Sequence, residues 1–142
     1  MRGERAMEIT IPVSAGHLID LITILQIKKA RITDRTKCDN VRRELEALIR
    51  VREAIPELGI PALRYVEQQL LAVNEQLWGI EDVLRALEDK NDFGEQFIAT
   101  ARSVYLTNDK RADLKRQIDR LAGSAFGEEK WFSVPVDQRD SR

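Results

Sequence analysis

Between residues 63 and 87 the apolar side chains Leu63, Val66, Leu70, Val73, Leu77, Ile80, Leu84 and Leu87 recur at alternating steps of three and four. A strand scatters such a series over both faces. A helix lines up all eight on one stripe, and the strict alternation is that of a coiled-coil seam. Just upstream, "IPELGIPA" frames Gly59 between Pro56 and Pro61 and reads as a turn, with Pro61 suited to the first helical turn. The expected helix, about 61–90, is roughly 40 Å long at ~1.5 Å per residue. It cannot bury its own seam, so the rest of the chain has to be arranged around it.

The next segment is the first candidate cover. "EDKNDFGE" turns the chain, a helix is expected at about 93–122, and Gly123 is a fitting stop. Its stripe runs Phe97, Ala101, Val104, Asn108, Arg111, Lys115, Ile118 and Ala122, apolar at both ends and polar at three consecutive positions between. Residues 61–95 hold three basic and eight acidic side chains, and residues 96–122 hold six basic and three acidic, which suits an antiparallel pair. Reflecting the pair about residue 91 sets Asn108 opposite Asn74, Arg111 opposite Leu71 and Lys115 opposite Glu67. Tyr105, Trp78 and Glu81 flank this polar gap.

Three accounts of the gap are open. Buried Asn–Asn and Lys–Glu pairs fix the register of the hairpin; or the stripe is open to water; or the gap is a site for an anionic small molecule anchored by a guanidinium. The candidate ligand-binding residues are Asp20, Arg31, Trp78, Glu81, Tyr105, Asn108, Arg111 and Lys115. Arg111 and Lys115 would hold charge, Asn108 and Tyr105 would orient the ligand, and Glu81 or Asp20 would move a proton if catalysis occurs.

Upstream, "HLIDLITILQI" is apolar nearly all round, as in a helix packed on several sides, here expected at about 15–32 with Ser14 as its cap. Asp20 is the odd member, because a buried carboxylate needs a donor or cation beside it. A further helix at about 38–54 carries Val41, Leu45, Leu48, Val51 and Ile55, with Asp34 and Asp39 as alternative caps. Ile9, Ile11 and Val13 alternate as in a short strand, about 8–13, and the tail 128–135 reads as extended. The expected fold is mainly α: two antiparallel helical hairpins forming an elongated four-helix bundle in a single domain, 1–142. Its terminal extended segments are expected to pair as a β-ribbon, within one chain or between two.

Composition narrows the function classes. Lys and Arg number 23 against 24 Asp and Glu, so the basic excess of a nucleic-acid binder is missing. One cysteine, Cys38, excludes an intrachain disulfide framework and a thiolate zinc site, and one histidine, His17, excludes a histidine-rich metal site. No cofactor is expected. The longest apolar run is broken by Asp20 and too short to span a bilayer. The first residues lack the apolar core of a signal peptide, so a cytoplasmic location is expected.

The blocks "IPVSAGHLIDLITILQIKKARI", "VRRELEAL", "LWGIEDVLRALE", "FGEQFIATARSVYLTNDKRADLKRQI" and "GSAFGEEKW" resemble a bacterial domain-of-unknown-function family of short, helix-rich proteins. The resemblance runs from about Ile9 to Trp131. It departs at Gln26, where the family carries an acidic residue, and at Leu21, where it carries Lys. It implies one folded unit and brings no activity. The family's motif positions here include Asp20, Thr23, Lys28, Arg31, Trp78, Glu81, Asp82, Arg102, Tyr105, Asn108, Asp109, Arg111, Lys115 and Arg116, which overlap the gap. Two functions are expected to compete. One is a non-enzymatic interaction or scaffold module that self-associates as a homodimer. The other is a small helical enzyme or binding protein for an anionic metabolite.

Overall fold

In the computed structural model, residues 7–124, 126 and 127 are described. They form four helices: α1 (Ala15–Arg31), α2 (Arg35–Glu53), α3 (Pro61–Asp89) and α4 (Glu95–Ala122), with a 3-10 turn at Pro56–Gly59 between α2 and α3. No strand occurs among the described residues. None of the helices is long and apolar enough to cross a membrane.

α1 is the centre of the packing, in contact with α2, α3 and α4, and the longest shared surface joins α3 to α4. This placement accounts for its all-round apolar composition. Leu18, Ile19, Ile22 and Leu25 of α1 form one core with Leu45, Leu58, Leu63, Val66, Leu70 and Ile118. α2 is a different kind of helix. It buries Leu45 alone and rests Val41, Leu48 and Ile49 on the core, so only one face is apolar.

The caps explain where the helices start. Asp34, not Asp39, opens α2 by accepting from the Lys37 N–H at 2.9 Å, which starts the helix at Arg35 rather than near residue 38. Asp39 lies inside the helix and pairs with Arg42 at 3.1 Å. α4 begins at Glu95, because Gly94 takes an extended backbone and leaves Phe93 outside, edge-on to Phe97. Between α3 and α4, Asn91 adopts φ 52 and the Asp92 N–H bonds back to the Leu87 carbonyl. That is a left-handed stop, and asparagine tolerates it better than most residues.

The seam of α3 is covered unevenly. Leu63, Val66 and Leu70 are buried beneath α1, whereas Val73, Leu77, Ile80 and Leu84 remain half-buried before Leu87 closes the end. The strand expected at 8–13 is not formed among the described residues: 7–14 have no regular structure, and Met7, Ile9 and Ile11 are exposed. An extended segment without a neighbour leaves its backbone donors and acceptors unpaired and gains no ladder. Its expected partner, 128–135, lies outside the described residues.

Candidate functional site

The site is positioned by the start of α1. A Cβ placed on Gly16 would lie 2.4 Å from the Lys115 carbonyl oxygen, so only glycine lets α1 touch the backbone of α4 here. The first N–H groups of a helix lack intrahelical acceptors, yet those of Ala15, Gly16 and His17 are all satisfied in α1, before Leu18 makes the first i to i−4 bond. Ala15 donates to Ser124 Oγ at 3.0 Å, Gly16 to Asp119 Oδ1 at 2.7 Å, and His17 to Ser14 Oγ at 3.1 Å. Leu18 donates to the Ser14 carbonyl at 3.1 Å. The end of α4 thus caps the beginning of α1, with a carboxylate at the positive end of the helix dipole.

One turn on, Asp20 faces α3 and α4 and is 1% exposed. Arg111 meets it with two bonds, Nε to Oδ1 at 3.0 Å and Nη2 to Oδ2 at 2.6 Å. Asn74 Nδ2 donates to Oδ1 at 2.9 Å, and the Lys115 ammonium stands 4.0 Å from Oδ2. The second hydrogen of the Asn74 amide goes to Thr23 Oγ1 at 2.8 Å, and the Thr23 hydroxyl donates to the Asp20 carbonyl at 2.7 Å. Arg111 Nη1 reaches Asn108 Oδ1 at 3.4 Å, a long bond. A carboxylate taken out of water is tolerated only with such a set of donors and cations.

Over this network lies an open cleft of about 310 Å³. Ile24, Ile27, Leu77 and Trp78 supply apolar wall, and Asn74, Glu81, Asp82, Arg85, Asn108 and Arg111 supply polar lining. The Arg31 guanidinium sits 5.7 Å from the centre of the Trp78 ring. On the rim Glu81 and Arg85 pair loosely, at 3.6 Å and largely exposed. Asp82 has no ion pair among the described residues.

The sequence candidates are therefore distributed unequally. Asp20, Asn108 and Arg111 come together in the network, and Trp78, Glu81, Asn108 and Arg111 line the cleft. Lys115 is buried beneath it. Arg31 leaves the gap to stack on Trp78. Tyr105 is exposed outside the cleft and hydrogen-bonds to Arg102, which holds that guanidinium above its ordinary value.

Two expected pairs are corrected. Asn74 turns to Asp20 and Thr23 instead of Asn108, and Glu67 bonds to Arg52 at 2.7 Å and Arg64 at 2.9 Å instead of Lys115. A reflected two-helix hairpin leaves out α1 and α2, which take these polar groups. Gly16 and Asp119 were not singled out as positioning residues, although a glycine in the first turn of so apolar a helix was a visible signal. Among the described residues no group of three or more His, Cys, Asp or Glu could hold a metal ion. No family model, curated protein or solved structure matches the chain.

Proposed function

We propose that this protein is a non-enzymatic interaction module, an elongated bundle of two antiparallel hairpins that self-associates as a homodimer. The observation carrying this reading is the uneven cover of the α3–α4 seam. Val73, Leu77, Ile80 and Leu84 on α3 and Phe97, Ala101 and Val104 on α4 are all left half-buried. Beside them Val83, Ile98, Tyr105 and Leu106 are exposed. Apolar surface left open in this way marks contact with another protein, and in a homodimer each copy brings the same surface. In this reading the extended segments near the two ends pair as a ribbon, within a chain or across the dimer.

Sedimentation equilibrium over a range of concentrations tests it. A dimer mass is expected for the parent, and a monomer mass for Ile98→Glu with Leu106→Glu. Both positions are solvent-exposed, so the variant should stay folded as a monomer, with a melting temperature that no longer depends on concentration. A parent that stays monomeric at its highest soluble concentration would end the proposal.

A ligand-binding reading draws support from the cleft, whose volume is that of a small-molecule pocket. The anion expected from the sequence finds its main anchor already engaged, because the Arg111 fork lies on Asp20. That weighs against an anion and raises the question of what the cleft would accept.

A further inference from the structure

We propose that the cleft between α1, α3 and α4 binds an organic cation: a guanidinium or primary ammonium on a short apolar body. This site goes beyond self-association and shares Leu77 with the seam proposed for it.

Charge and hydrogen-bonding capacity set the sign of the ligand. Of the cations around the cleft, Arg111 and Lys115 share Asp20, Arg85 stands 3.6 Å from Glu81, and Arg31 lies over Trp78. Asp82 is left over, a carboxylate of the lining that makes no ion pair among the described residues, with Arg85 one helical turn on. At the floor lies Asn74, 5% exposed. Its amide orientation follows from its neighbours, because Nδ2 faces the Asp20 carboxylate and a Thr23 hydroxyl whose own hydrogen is engaged. Both amide hydrogens are thereby used, and Oδ1 remains as an acceptor without a partner among the described residues. An anion entering the cleft would meet this oxygen and Asp82 as repulsive groups. An ammonium or guanidinium finds in them acceptors at both the floor and the mouth.

The walls suit the same ligand. Trp78 adds an aromatic wall whose ring carries the Arg31 guanidinium 5.7 Å from its centre, a contact that a ligand cation would have to displace. Ile24, Ile27 and Leu77 offer apolar surface to the stem that carries the charge. A volume of about 310 Å³ holds one side-chain-sized group. Such a group belongs either to a free amine or to an arginine or lysine of a peptide, and the chemistry of recognition is shared.

The test follows the Trp78 indole N–H resonance in the full chain bearing Trp131→Phe, which leaves one indole. Butylguanidinium, butylammonium and butanesulfonate are titrated at constant ionic strength. Saturable shifts are expected with the two cations and not with the sulfonate. Asp82→Lys should weaken the cations by about tenfold with an unchanged melting temperature. A short peptide with one internal arginine that binds more tightly than butylguanidinium assigns the site to a protein side chain; weaker binding assigns it to a free amine. A sulfonate that shifts the indole as strongly as the cations, no saturation with either cation, or indifference to Asp82→Lys would overturn the proposal.

Discussion

Arg111 holds Asp20 with two parallel bonds, at 3.0 and 2.6 Å, across a sequence separation of 91 residues. The side chain of Asp20 is 2% exposed and that of Arg111 is 29% exposed, so the carboxylate is the partner that depends on the pair. Replacing Arg111 and Lys115 together by Leu should lower stability by about 3–5 kcal/mol, because a buried carboxylate loses both its cations. Adding Asp20→Leu to that variant should recover most of the loss. Urea unfolding of the three proteins decides it: a double variant more stable than the parent would contradict the structural role of the pair.

Gly16→Ala should destabilise by about 1–3 kcal/mol, since the added methyl meets the Lys115 backbone carbonyl, which cannot swing away, as well as the Asp119 carboxylate. The loss would appear as a fall of several degrees in melting temperature. Gly79→Ala is the control. No atom lies within 4 Å of its Cβ position, and in mid-helix alanine should stabilise by up to about 1 kcal/mol.

The caps of α1 should rank by burial. Ser14→Ala removes a half-buried local cap and should cost about 1 kcal/mol. Asp119→Ala removes a charged acceptor from the buried Gly16 N–H and should cost more, about 1.5–3 kcal/mol. Equal losses in thermal unfolding would mean that the contact between the end of α4 and the start of α1 adds nothing beyond a local cap.

Glu67 distinguishes its two arginines. Arg52 is 13% exposed and Arg64 is 43% exposed at the side chain, so solvent screens the second pair far more. Arg52→Met should therefore destabilise more than Arg64→Met, and the difference should survive high salt while the Arg64 contribution fades. Matched salt titrations of the two variants provide the check.

The four helices were legible because apolar periodicity and caps are local signals, and Leu63 through Leu87 states one helix almost without ambiguity. Asp20 was legible as a problem, since a carboxylate among isoleucines demands a partner. Its partners were not. Arg111 and Asn74 lie on two other helices, and the crossing of α1 over them depends on Gly16 and Asp119, whose relation no spacing rule contains. The start of α2 was missed by three residues because Asp34 and Asp39 are equally good caps until the fold chooses. Ile9, Ile11 and Val13 show what alternation leaves open. Alternation reports a propensity for strand, and a strand exists only where a ladder partner does.

The cap on α1 has a consequence for the order of events when the chain is made. The Gly16 N–H waits for a carboxylate 103 residues later, and the Ala15 N–H waits for a hydroxyl 109 residues later. During synthesis from the N-terminus, α1 emerges before the other three described helices and keeps an open end until the last turn of α4 has left the ribosome. Until then Ile19 and Ile22 lack the part of their cover that α4 supplies, and α1 lacks its anchor. Nascent α1 is thus the stretch of this chain that a holding chaperone would be expected to meet first, and release would coincide with the arrival of Asp119.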